Sequence, residues 1–376
     1  MQAPIDFTPQ ELEENKKAFT DLVDLVRSED AILMAGAGCS GAIYPPWGRF
    51  VDELEAAAKE ADPTFNADKG NFLTFADAVK TCLGDDYNAL IYRTFEPKPG
   101  NTHLPFHESL CRLPFKAITT TNYDIVLENA LSVVNKSMAS SLHFEDSTKQ
   151  KIHDFLSSLN YSKSPRRFVA HLHGIFDAPN SIVLGGKEYS SKYGFELGKP
   201  EDTLFDQINK EGITKEHFSD LLIKYGYEWP LRRKLLWSLL ATRRIVFIGF
   251  SMTDPYFIKM LEFVREDLST YRSETHFLVL RATASTLQSS LNFAADLKRR
   301  YGIQTVFFLE GEHEYDGLGK FISELENEIS PLIETISPKI VDADPAQTTE
   351  AAPTAVDAEY TKHLFTLAKQ QHNDEN

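Results

Sequence analysis

Apolar positions along the chain fall into two rhythms. Short apolar runs closed by glycine or polar residues occur at 31–35 (AILMA), 115–119 (FKAIT), 168–174 (FVAHLHG), 181–185 (SIVLG), 244–250 (RIVFIGF), 275–280 and 305–309. Runs of that length predict buried strands. Between them, apolar residues recur at helical spacing. Thr8-Pro9-Gln10-Glu11 reads as a capping box, and Leu12, Phe19, Leu22, Val23 and Val26 give the helix that follows an inward face. Pro45 and Pro46 delay the second helix to Trp47, from which it runs through Phe50, Leu54 and Ala57. Short helices are expected through Phe72, Phe75, Val79, Leu83, Tyr87 and Ile91, then after Asp124 through Ile125, Leu127 and Ala130. Segment 187–224 reads as mainly helical and charged. In 228–243, Leu231, Leu235, Leu236 and Leu239 face inward. Asp254 is well placed to cap a helix with Pro255 as its first residue, and 287–300 and 318–336 close the pattern.

Strands alternating with helices predict an α/β fold with a doubly wound, mostly parallel, Rossmann-like sheet. One domain is expected over 1–338, with a small helical insertion at 64–100 and a polar surface excursion at 137–166 that holds one helix near 149–159. Beyond Pro338, segment 341–358 is rich in Ala, Thr, Pro and Asp and reads as a flexible linker. Residues 359–371 read as a short helix or tail carrying Tyr360, Leu364, Phe365 and Leu367. In sheets of this type ligands sit beyond the carboxyl ends of the strands.

Composition narrows the classes. The 376 residues carry 39 basic and 55 acidic side chains, a net charge of −16. That argues against a broad nucleic-acid surface. The basic triplet Arg232-Arg233-Lys234 is expected on a solvated helix face. Cys39, Cys82 and Cys111 lie far apart, which removes a four-cysteine zinc ribbon and a disulfide framework. No apolar run is long enough to cross a bilayer and the N-terminus has no signal core. A soluble, cytoplasmic protein is expected.

The unusual polar clusters all fall at strand exits. Gly36, Gly38 and Gly41 follow the first strand in a G-x-G-x-x-G spacing, where a phosphate can approach the backbone closely and Ser40 can add a hydroxyl. A ligand-free tight turn fits that spacing equally well. TTNYD (120–124) follows the second strand, HLHG (171–174) the third and GFSMTDP (249–255) the fourth. His103 and His107 can share a helix face and offer two metal ligands, but a helix cap with a partly buried histidine is the simpler reading. His171 is expected on the same strand face as His173, in a structural role.

Taken in order, GAGCS with Pro46-Trp47 downstream, TTNYD, HLHG and GFSMTDP resemble the sirtuin superfamily. Within it they are most similar to the bacterial branch that degrades NAD in antiphage defence. The resemblance implies a phosphate loop at Gly36, Ala37, Gly38 and Ser40, with Trp47 and Thr121 in the same cofactor-binding set. It implies catalytic roles for Asn122, Asp124 and His173. Gly249, Ser251 and Asp254 correspond to the loop that holds the adenosine half of NAD.

Departures from the pattern matter. No zinc ribbon can form, Trp47-Gly48 stands where protein deacylases carry Phe-Arg, and nothing after His173 resembles an acyl-lysine-binding segment. The expected activity is therefore NAD glycohydrolysis without a metal, to nicotinamide and ADP-ribose. The resemblance also implies gating by homo-oligomerisation, or by a HerA-type ATPase or Argonaute-like partner docked on the tail helix. An NAD-dependent deacylase or ADP-ribosyltransferase, or a scaffold subunit of an ATPase complex, remain the alternatives.

Overall fold

The computed structural model describes residues 7–144, 149–159, 168–197, 229–268, 276–309 and 316–336. The chain divides into two compact units, Met1–Pro331 and Leu332–Asn376. The seven-stranded sheet lies in the first. The expected linker and tail helix lie outside the described residues, as does most of 187–224.

The strands are β1 (Ala31–Ala35), β2 (Ala117–Thr120), β3 (Ser140–Leu142), β4 (Phe168–His171), β5 (Arg244–Ile248), β6 (His276–Ala282) and β7 (Ile303–Leu309). The described helices are α1 (Pro9–Arg27), α2 (Trp47–Ala61), α3 (Phe72–Leu83), α4 (Asp86–Phe95), α5 (Pro105–Arg112), α6 (Val126–Asn135), α7 (Lys149–Ser158), α8 (Gly186–Tyr193), α9 (Leu231–Thr242), α10 (Pro255–Leu268), α11 (Leu287–Tyr301) and α12 (Asp316–Ile336). The seven strands form one sheet in the order β3-β4-β2-β1-β5-β6-β7. Every pairing is parallel. The chain winds to one side of β1 through β2, β3 and β4, then returns to the other side at β5. β1 and β5 thus flank the switch point, where ligands bind in such sheets.

β1 is buried on both faces. Ile32 and Met34 pack with Leu235, Leu236 and Phe247 on one side. Ala31, Leu33 and Ala35 pack with Leu22 and Val26 of α1 and Ile322 and Leu325 of α12 on the other. A third cluster lies over the carboxyl ends of the strands, where Phe50 and Leu54 of α2 meet Phe75, Tyr87 and Ile91 of α3 and α4 together with Tyr123, Ile175 and Ile182. The capping box of α1 forms as expected, with Thr8 and Glu11 exchanging hydrogen bonds.

Several expectations fail for physical reasons. β4 ends at His171, because Gly174 turns the chain at φ +90° and His173 leaves the sheet. The segment 181–185 is not a strand. Val183 N–H bonds the His173 carbonyl, and the N–H groups of Leu184 and Gly185 donate to the Glu188 carboxylate, so side chains and a turn replace a ladder. Polar β3 sits inside the expected excursion and pairs with β4 as an edge strand. Of its three residues only the buried Leu142 is apolar, too little for a strand pattern. Ile152, Phe155 and Leu159 of the same stretch belong to the core. Leu12 is exposed despite its helical spacing.

The largest correction concerns Arg232 and Arg233, which are buried rather than solvated, each 2% exposed. Arg232 donates to the Ser181 carbonyl at 3.0 Å and lies over the Phe144 ring. Arg233 lies over Trp229, Phe263 and Phe195. Aromatic faces can hold guanidinium groups away from water, and a charge count along the helix cannot reveal that.

Candidate functional site

Because the strands are parallel, the exits of β4, β2, β1 and β5 lie side by side on one edge. After β1 the chain makes a short 3-10 turn, Ala37–Cys39. Its backbone locks onto the β5 exit: Gly36 N–H donates to the Ile248 carbonyl and Gly38 N–H to the Gly249 carbonyl, both at 2.9 Å. A methyl group on Gly36 would lie 2.5 Å from the Gly249 oxygen, and one on Gly249 2.5 Å from the Cys39 nitrogen. Gly249 also holds φ +63°. These glycines are needed first for one loop to lie against the other, a demand the motif alone did not reveal. Burial pushes the Cys39 thiol up to about 12, so it stays protonated and is no nucleophile.

Asn122 ties the β2 exit to this loop. Its amide nitrogen donates to the Gly36 carbonyl at 3.1 Å and to Ser40 Oγ at 3.0 Å. Its own N–H bonds Thr120 Oγ1, and its carbonyl accepts from His171 Nδ1 at 2.9 Å. Thr121 N–H donates to the Ala35 carbonyl. Asp124 caps the start of α6 by accepting from Val126 N–H at 3.0 Å. Burial raises its carboxyl to about 6, against the hydrogen bonds from Val126 and Ser40.

His173 sits beyond the end of β4 and is 7% exposed. Its Nε2 lies 3.3 Å from Asp254 Oδ2, and its Nδ1 lies 3.5 Å from the Tyr189 hydroxyl. Burial drives its pKa down to about 4; Asp254 opposes the shift and Arg232 adds to it. It is therefore neutral at pH 7. His171, two residues earlier, is its opposite. Burial alone would lower its pKa, but Glu128, at 2.6 Å from Nε2, raises it overall.

The structure thus joins Gly36, Gly38, Ser40, Asn122 and Gly249 in one network, with Asp124 beside it, and brings His173 to Asp254. Ala37 is exposed on the turn between. Trp47 stands apart, 45% exposed against Phe72 and Phe50. Ser251 is exposed and bonds Thr253. Sequence reasoning missed Tyr189, whose hydroxyl donates to Asp254 at 2.7 Å and whose ring stacks on Tyr256. It also missed the role of His107, which braces the β1 loop. Nδ1 accepts from Leu104 N–H, which leaves Nε2–H to donate to the Cys39 carbonyl at 2.7 Å. A His three residues into a helix is a capping signal, as expected, but its reach to Cys39 is tertiary. Among the described residues, no three His, Cys, Asp or Glu side chains form a metal-binding group. Nor is any described helix long and apolar enough to cross a membrane.

Residues 116–306, just over half of the chain, match the SIR2-like domain. The chain belongs to this family. In this SIR2-like chain the match takes in the exits of β2, β4 and β5, while the β1 loop lies upstream of it, outside the matched residues. The chain is 22% identical to the NAD(+) hydrolase ThsA of Bacillus cereus (strain MSX-D12) over 322 residues, 82% of this chain and 56% of that protein. It is also 22% identical to the defense-associated sirtuin 2 of Bacillus subtilis over 249 residues, 65% of this chain and 20% of that protein. The SIR2-like chain thus spans just over half the length of the first relative and a fifth of the second.

Proposed function

We propose that this SIR2-like chain cleaves the bond between nicotinamide and ribose in NAD, releasing nicotinamide and ADP-ribose, as an NAD-depleting effector of antiphage defence. The observation that carries the reading is Asn122, buried at the β2 exit and bonded to both the backbone and Ser40 of the glycine-rich loop. That loop offers phosphate contacts, and the neutral His173 offers a base on the same edge of the sheet. Similarity to a protein named NAD(+) hydrolase supports the same chemistry.

Nicotinamide is a good leaving group, because it departs as a neutral amine from a cation. As the C1′–N bond breaks, its electron pair goes to the ring nitrogen and positive charge builds on the ribose. A water attacks C1′. The Asn122 amide oxygen orients that water, and His173 takes its proton. Asp124 holds the start of α6 and the Asn122 turn in place. At the start of the segment expected to hold adenosine, the backbone of Gly249 lies against the glycine-rich loop after β1.

Asn122 and His173 are only 9% and 7% exposed. Admission of a dinucleotide then requires opening, which supports gating by self-assembly or by a partner such as a HerA-type ATPase or an Argonaute-like protein. The test is nicotinamide release from NAD by purified protein, beside Asn122→Ala, over a range of protein concentrations. Expected is release that rises more steeply than protein concentration and vanishes in the variant. Equal release by both proteins would remove Asn122 from the chemistry.

A further inference from the structure

His173 and Asp254 come from strands that are not neighbours. β4 and β5 are separated by β2 and β1, three strand spacings, or about 14 Å. The loop after β4 must therefore lean across the intervening exits to bring the His173 ring to Asp254. Asp254 meets it with every acceptor position engaged. Oδ1 accepts from the N–H groups of Tyr256 and Phe257 at 2.9 and 3.0 Å, capping α10. Oδ2 accepts from the Tyr189 hydroxyl at 2.7 Å and faces His173 Nε2 at 3.3 Å. Tyr189 is itself held by stacking on Tyr256, with ring centres 4.5 Å apart at 18°. The carboxylate is thus fixed from both sides before it meets the imidazole.

We infer that Asp254 is a positioning residue for His173, holding its proton on Nε2 so that Nδ1 is the atom that accepts a proton. This rests on the proposed NAD cleavage, and it replaces the adenosine contact expected for Asp254 from the sequence. A carboxylate is required because both of its oxygens must accept. A neutral imidazole has one N–H, and a carboxylate opposite Nε2 selects the tautomer that carries it there. The Tyr189 hydroxyl, already donating to Asp254, does not compete for the Nδ1 lone pair. An asparagine at 254 has one acceptor oxygen. With that oxygen committed to the α10 cap, its NH2 group faces Nε2 and donates to it, which moves the imidazole proton to Nδ1 and blocks the base.

Asp254→Asn and Asp254→Ser test this, since asparagine and serine both cap helices well. Expected are a cooperatively folded protein with a thermal midpoint lowered by only a few degrees, KM for NAD within about threefold of the parent, and kcat lowered at least about 100-fold. Nitrogen-15 spectra of the histidine rings, assigned with His173→Gln, should show the proton on Nε2 in the parent and on Nδ1 in Asp254→Asn. A raised KM with kcat retained would mean that Asp254 touches the dinucleotide, and it would overturn the inference. So would unchanged kcat and KM. If the parent releases no nicotinamide, the cleavage reading fails, while the spectra still decide this one. The same tautomer in parent and Asp254→Asn would overturn it.

Discussion

His171 and His173 stand two residues apart, and their surroundings shift them in opposite directions, His171 up and His173 down. His171 Nδ1 faces the Asn122 carbonyl and Nε2 faces the Glu128 carboxylate, which also accepts from Ser141 Oγ at 2.6 Å. With an acceptor facing each ring nitrogen and the Glu128 carboxylate beside it, His171 is shifted toward the imidazolium form inside the core. Its raised pKa means its contribution to stability is present below pH 6.5 and is lost as pH rises through the folded value. Glu128→Gln removes the charge that keeps the second proton. The glutamine NH2 can donate to Nε2 while the remaining imidazole proton stays on Nδ1 toward the Asn122 carbonyl, so the variant loses the charge attraction and keeps the turn. Expected is a loss of about 1–3 kcal/mol of unfolding free energy, read as a lower denaturant midpoint below pH 6.5. An unchanged midpoint would show that the pair is not charged. The structural role expected for His171 fits this network, although the shared strand face does not: β4 stops between the two histidines.

At the scale of elements, the exits of β1 and β5 act as one unit. Two backbone hydrogen bonds join them, and the glycines allow the close approach. Gly249→Ala asks an L-residue to hold φ +63° and places a methyl group 2.5 Å from the Cys39 nitrogen. The strain alone costs about 1–3 kcal/mol. Because the clash pushes on the loop proposed to hold phosphate, NAD binding should fall with the melting temperature. Calorimetric titration beside thermal unfolding checks this, and a variant that melts early but binds NAD normally would separate the loop from the ligand. Met252 in the same β5 loop also holds positive φ, at +55°, while its side chain is buried. Backbone strain of this kind gathers where a chain is over-determined by its surroundings.

For the whole molecule, acid is the expected weakness. His107, His173 and His276 are each buried, and burial holds each down to about 4. An unfolded histidine takes its proton near 6.5, so between 6.5 and 4 the unfolded state binds more protons and stability falls as pH falls. Asp124, raised to about 6 by burial, works the other way, gaining its proton first in the folded state between about 6 and 3.8. Three groups oppose one, and each tenfold change in proton affinity is worth about 1.4 kcal/mol. Thermal midpoints should drop steadily from pH 6.5 to 4.5, and His107→Gln, which removes one of the three, should flatten the drop. A flat profile in the parent would mean that these histidines accept protons without unfolding.

Periodicity and strand-bounding residues were enough to specify the alternating architecture, the parallel sheet, the α1 capping box, the Trp47 helix start and the Asp254–Pro255 cap, because these depend on residues near one another in the chain. They also marked the strand exits where the polar clusters meet, since a parallel sheet puts every exit on one edge. Tertiary structure alone decided the rest. β3 offers a single apolar residue, Leu142, and pairs only because β4 presents it an edge. Arg232 and Arg233 look like a solvated charge run until aromatic rings from distant segments enclose them. The glycine spacing suggests a phosphate loop, but its tightest contacts are to a loop some 200 residues later in the chain. Asp254 reads locally as a helix cap, and it is one; that its second oxygen meets His173 follows from a crossing over two strands. Hydrogen bonds and burial between segments far apart in sequence leave no periodic trace, and those contacts set the charge of each histidine in the site.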